Sequence, residues 1–152
     1  MNQPEAHAAS APFRTCGMCR KTWATREDFL EDPGIRLLGL QAVPELADAN
    51  VLVFEHECGT SVSVLAHKLR DLLAPAEAHD ATLPLLYGTE ACQKLCTNIA
   101  SRSTCDRPCR NAYDRRLSTG IADRKERLRA QRATATSPLI ALPRSSGGSG
   151  RR

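Results

Sequence analysis

Aromatic residues are scarce in this 152-residue chain: one Trp, two Tyr and three Phe, 4% of the whole, against a hydrophobic fraction of 41%. Leu, Val, Ile and Ala must therefore fill most of the interior, and they bury less area per residue than rings do. Long apolar runs are missing too. The longest, at residues 35–43 and 51–54, fall far short of the roughly 20 residues that span a bilayer. Met1 to Pro12 offers no basic start and no apolar stretch of signal-peptide length, so a soluble, cytoplasmic protein with no membrane attachment is expected. Phosphate loops, catalytic triads and dinucleotide fingerprints are also lacking, which leaves an enzymatic reading without visible apparatus.

Cysteine, by contrast, is plentiful, with seven residues. In a reducing compartment paired cysteines more often hold metal than disulfides, and a core poor in rings gains from such a staple. Charge is unevenly divided. Residues 1–100 hold 8 Lys+Arg against 13 Asp+Glu and residues 101–152 hold 13 against 4, so a mildly acidic body (−5) carries a basic arm (+9).

Cys16-Gly17-Met18-Cys19 and His56-Glu57-Cys58-Gly59 supply three thiols and an imidazole. Two thiols separated by two residues can meet one tetrahedral ion from a tight loop, and on an extended segment His56 and Cys58 point to the same side. Cys16, Cys19, His56 and Cys58 are the expected ligands of a structural zinc ion. Four protein ligands close the site, whereas a catalytic zinc keeps one position open. A thioredoxin-like use of Cys16-x-x-Cys19 needs a preceding strand and a following long helix, and only a polar leader precedes Cys16. Haem attachment is excluded there, because Arg20 stands where a histidine is required.

Around this site the pattern predicts an α+β fold. Thr25 with Asp28 marks a helix start running to Glu31, and Asp32-Pro33-Gly34 ends it. Residues 35–43, 51–54 and 60–64 read as strands, the last two as a hairpin in which Gly59 takes the positive φ of a ligand turn. Leu65, Leu69, Leu72 and Leu73 recur at helical spacing and would cover the sheet. The chain divides into a flexible leader (1–12), this α+β unit (13–73), a linker (74–86), a cysteine-rich unit with a basic extension (87–133) and a disordered tail (134–152).

The cysteine-rich unit carries Cys92-x3-Cys96 and Cys105-x3-Cys109. On helices that spacing sets both sulfurs on one face, so a hairpin of two helices, capped at Thr89 and at Ser103 or Asp106, would gather four thiols. Zinc, an iron-sulfur cluster and disulfides (Cys92 with Cys109, Cys96 with Cys105) are the three readings of that cluster. The second helix would continue through Tyr113, Leu117, Ile121 and Leu128. Its other faces carry Arg115, Arg116, Arg124, Lys125, Arg127 and Arg129, suited to nucleic-acid phosphates or an acidic protein surface.

The two ligand motifs, Cys16-Gly17-Met18-Cys19 and His56-Glu57-Cys58-Gly59, with the strands between them, resemble a zinc ribbon, in which two hairpin loops clamp a structural ion. The second pair has one intervening residue where a ribbon usually has two. Trp23, Phe29-Leu30, Asp32-Pro33, Arg36-Leu37, Gly39 and His56-x-Cys58-Gly59-Thr60 are similar to a group of small cysteine-rich bacterial proteins, a resemblance that implies no activity. A non-catalytic binding or adaptor role is expected, and a thiol redox, iron-sulfur or metal-handling role is the alternative.

Overall fold

Residues 11–73 and 82–136 are described in the computed structural model. The leader, linker and tail expected from the sequence lie largely outside them. Two antiparallel sheets and one long helix make an α+β fold, as the sequence pattern predicts.

A two-stranded ribbon comes first. β1 (Arg14–Thr15) pairs with β2 (Thr22–Trp23), and the turn between them carries Cys16 and Cys19. α1 (Arg26–Glu31) follows, and Thr25 caps it in a reciprocal box with Asp28: each side chain takes the other residue's main-chain N–H at 3.0 Å. Phe29 and Leu30 turn inward.

β3 (Ile35–Gln41), β4 (Val51–His56) and β5 (Ser61–Leu65) form the second sheet in that order. On β4 residues 52, 54 and 56 are buried while 51, 53 and 55 are half-buried. The strand therefore ends with His56 on its inner face. Gly59 turns the chain back at φ +88°, the conformation expected for it.

The next segment, Ala66–Leu72, is 3₁₀ rather than α-helical. Its ends are tied elsewhere: the Ala66 N–H donates to Asn50 O, and the Tyr113 hydroxyl donates to Arg70 O. Such short, tethered segments suit the tighter helix.

Residues 89–109 depart most from the sequence reading. The first arm of the hairpin is built from turns and one short 3₁₀ segment, Leu95–Thr97, because Lys94 sits in the left-handed region (φ 57°, ψ 16°) between Cys92 and Cys96 and breaks any α-helix there. The second helix, α2 (Arg110–Thr136), begins beyond Ser103 and Asp106. Pro108 disfavours helical geometry at Arg107, so the helix cannot run through it. Cys109, not Cys105, is the residue beside the helix start.

Tyr113, Leu117 and Ile121 face inward from α2, and Leu117 and Ile121 join the cluster that holds Trp23, Phe29, Leu40, Leu52 and Phe54. Residues 129–135 of α2 are exposed. Where the cysteine segment crosses β3, Gly39 makes the crossing possible: its φ is +149°, and a Cβ there would lie 1.7 Å from Ile99 O. Gly39→Ala is therefore expected to lose about 1–3 kcal/mol from backbone conformation alone, with displacement of the 98–101 loop adding to it. A urea midpoint equal to that of the parent protein would refute this packing.

Candidate metal centre

The two hairpin turns bring the four N-terminal candidates together. The ligand atoms of Cys16, Cys19, His56 and Cys58 all lie within 4.8 Å of one another, and the group could hold a metal ion. Cys16 Sγ is 3.6 Å from Cys58 Sγ, and His56 Nδ1 is 3.5 Å from Cys19 Sγ and 3.0 Å from Cys58 Sγ. A tetrahedral ion with zinc-like bond lengths sets sulfurs about 3.8 Å apart and sulfur about 3.6 Å from nitrogen. Two of the three separations match, and Cys58 would move outward by roughly half an ångström from His56 to complete the tetrahedron.

Local chain geometry explains the convergence. In the first turn the Arg20 N–H donates to Cys16 O at 3.1 Å, and Arg20 takes the left-handed conformation (φ 65°). In the second, the Gly59 N–H donates to His56 O at 2.8 Å. Each turn folds its donors over one point. Cys16 is fully buried and His56 is 2% exposed, while Cys19 is exposed.

The protonation states conflict, and a cation resolves the conflict. The Cys19 main-chain N–H lowers the Cys16 thiol to about 6; burial opposes this, and the Met18 N–H, Cys58 and His56 reinforce it. At Cys58 the Thr60 N–H acts downward, but burial with Cys16 and Cys19 pushes the thiol up. Neighbouring sulfurs cannot all ionise against one another, whereas a bound divalent ion stabilises every thiolate at once. The His56 Nε2 atom is buried without a hydrogen-bond partner, and the Glu57 carboxylate is 3.9 Å away. With Nδ1 on an ion, Nε2 would carry the proton, and Glu57 is the nearby group that could orient it.

The scarce aromatics are concentrated here. Phe13, Trp23 and Phe54 each pack on Phe29, and Trp23 meets the His56 ring edge-on at 5.2 Å. Thus four of the six aromatic residues sit beside the candidate site, and the aliphatic side chains fill the remainder.

Sequence reasoning missed Asp32. Its buried carboxylate accepts from Trp23 Nε1 at 2.6 Å and from the Gly34 N–H at 2.7 Å, and pairs with Lys21 at 2.7 Å. Burial works against its ionisation, but Lys21, the indole and the Gly34 N–H hold its pKa below the usual value. The folded state therefore binds this proton less tightly than the unfolded chain. Its contribution is full above the ordinary carboxyl value near pH 4 and is lost as the pH falls through the lowered folded value. Asp32→Asn should reduce stability at neutral pH, with the difference from the parent shrinking steadily below about pH 4. Urea titrations at several pH values test this, and a pH-independent difference would contradict it.

The other sequence candidates are placed as follows. Cys92, Cys96, Cys105 and Cys109 line one small cavity with unbonded thiols, and burial, then Cys92, Cys109 and Cys105, push the Cys96 thiol up. Of the six basic candidates on α2, two turn inward. Arg115 is fully buried, and Lys125 donates to Leu30 O and Asp32 O. Together with Arg132, which donates to Glu31 O, Lys125 satisfies carbonyls at the C-terminal end of α1 that have no helical partner. Burial, with Arg129 next, lowers the Lys125 pKa to about 8. Arg116 and Arg124 are half-buried, and Arg124 pairs with Glu31; Arg127 and Arg129 are exposed. Among the described residues no helix is long and apolar enough to cross a membrane. Comparison with protein-family models, with curated proteins and with solved structures gives no match, so the donor set and its geometry carry the functional reading.

Proposed function

We propose that this chain is a zinc protein in which Cys16, Cys19, His56 and Cys58 hold one structural ion in a zinc-ribbon-like arrangement, and that it works as a non-catalytic binding or adaptor module. The observation that carries the reading is the closed donor set: three sulfurs and one imidazole nitrogen within 4.8 Å of one another. Soft thiolates with imidazole select zinc over the oxygen-preferring cations, and four protein ligands leave no position for a substrate. Bound there, the ion would fasten the β1–β2 turn to the β4–β5 turn. The lowered Cys16 pKa would equally suit a reactive thiol, but Cys16 has no exposed surface, which favours the ligand role over the redox alternative. Thiol ligation fits a reducing, cytoplasmic setting.

Arg127, with the outer parts of Arg116 and Arg124, makes a basic flank for an acidic partner, nucleic acid or protein, while Arg129 stands on the opposite side of the helix beside Arg36 and Glu55. Elemental analysis of protein purified without added metal is the decisive experiment. Cys58→Ser should contain one zinc equivalent fewer than the parent, and an unchanged zinc content would remove this reading. Salt-dependent binding to duplex DNA or RNA, weakened by Arg127→Ala with Arg116→Ala and not by Arg129→Ala, would assign the flank to nucleic acid.

A further inference from the structure

We infer that Cys92, Cys96, Cys105 and Cys109 form a second, independent metal centre, which takes one thiophilic divalent ion of the zinc class as a tetrathiolate, with Arg115 as its buried counter-charge. Several features of the cavity point the same way. All four cysteines line it although they come from a turn, the 3₁₀ segment, an irregular stretch and the residue before α2. Its volume is about 20 Å³, room for one water-sized occupant and too little for an iron-sulfur cluster. Leu86, Leu95 and Ala112 supply apolar wall, which excludes competing water.

The polar groups around the sulfurs are donors. The Lys94 N–H points at Cys92 Sγ and the Leu86 N–H at Cys109 Sγ, each at 3.4 Å. The left-handed Lys94 makes the first of these possible by folding the chain back over Cys92, as Arg20 folds the first turn of the N-terminal site. Donors aimed at sulfur favour thiolate and do nothing for a disulfide.

Arg115 is the second, independent observation. Its guanidinium is fully buried and donates to the carbonyl oxygens of Ser103 at 2.9 Å, Asn98 at 3.1 Å and Ser101, yet among the described residues it has no carboxylate partner. A buried cation without an anion is costly. It lines the same cavity, where Cys96 and Cys105 are the groups able to answer its charge. Binding replaces four thiol protons with one divalent ion and leaves the centre at −2, which the guanidinium reduces to −1. Among the described residues only the ligand atoms of Cys16, Cys19, His56 and Cys58 lie within 4.8 Å of one another, so these four sulfurs are more widely spread than those of the first site. Closing them to about 3.8 Å draws Cys92 and Cys105, which lie outside the regular elements, toward Cys96 in the 3₁₀ segment and Cys109 beside α2.

Cobalt(II) added to the reduced, metal-free full-length protein under anaerobic conditions tests the assignment, because sulfur-to-cobalt charge-transfer absorption reports thiolate ligation directly. Two equivalents are expected, with Cys105→Ser losing one and Cys58→Ser the other. Arg115→Gln should weaken only the second centre, by about 10–100-fold in competition with a chelator, and Arg115→Lys by less. Equal affinity in all three proteins would reduce Arg115 to a loop support. Saturation of the parent protein at one equivalent, lost in Cys58→Ser, would overturn the second centre. Two disulfides in anaerobically purified protein, or iron with acid-labile sulfide, would overturn it as well. If Cys105→Ser does not fold, the cobalt stoichiometry of the parent still decides.

Discussion

With zinc held as proposed by Cys16, Cys19, His56 and Cys58, a strong chelator at neutral pH is expected to abolish the cooperative unfolding transition of residues 11–73. Structural zinc contributes about 10–16 kcal/mol of apparent binding energy, whereas a whole domain is stable by only about 5–15 kcal/mol. An ion that fastens two hairpin turns thus supplies as much as the fold has to spare. The strands that would remain are short: β1 and β2 have two residues each, and the β1–β2 ribbon pairs with neither edge of the larger sheet. A two-stranded ribbon is marginal in water by itself. Trp23 is the chain's single tryptophan and packs on His56, so its emission reports the change directly. It should shift to that of a solvated indole as metal leaves and return on adding zinc. Cys16→Ser should do the same without chelator. Met18→Ala, in the same turn but 65% exposed, should do nothing. An unchanged melting temperature after complete metal removal would eliminate the structural role.

The parts of this fold that were legible in the sequence are those fixed by short-range rules. Thr25 and Asp28 spell out a capping box, the short apolar run at residues 51–54 marks β4, alternation marks β5, and the two cysteine-containing motifs converge as their spacing requires. What was illegible depends on partners distant in sequence. Asp32 matters because Lys21 and Trp23 reach it, and Lys125 is buried because α1 ends beneath it, 93 and 95 residues earlier. A helical wheel shows Lys125 and Arg115 as members of a basic face, and only the packing shows them as inward-directed donors. The Cys-x3-Cys spacing misled for a related reason. It suits one helix face, but it equally suits a turn broken by a left-handed residue, and no local signal marks Lys94 as that residue.

Asp114→Ala is expected to cost about 3–5 kcal/mol, because it removes the buried carboxylate that Arg70 pairs with and one of the two acceptors of the buried Asn50 amide. Asp114 has no exposed surface. Its two oxygens accept from Arg70 Nε at 2.8 Å and Arg70 Nη2 at 2.9 Å, and one also accepts from Asn50 Nδ2 at 2.8 Å. Asn50, itself buried, accepts from the Val43 N–H at 2.7 Å and donates to Asn111 Oδ1 at 2.8 Å. One network therefore binds α2, the 3₁₀ segment and the loop between β3 and β4. In thermal terms the loss is about 6–20 °C for a chain of this size. Arg70→Ala should cost a similar amount, since it strands the carboxylate. The double variant should cost less than the sum, and the difference measures the coupling. Arg102 with Asp123 and Glu126 is the contrasting case: these side chains are about half exposed, so Asp123→Ala should change stability by less than about 0.5 kcal/mol. Zinc binding at the first site should be unchanged in Asp114→Ala, because the network touches none of Cys16, Cys19, His56 and Cys58. If Asp114→Ala and Asp123→Ala proved equally mild, the buried network would not be what holds α2 against the sheet.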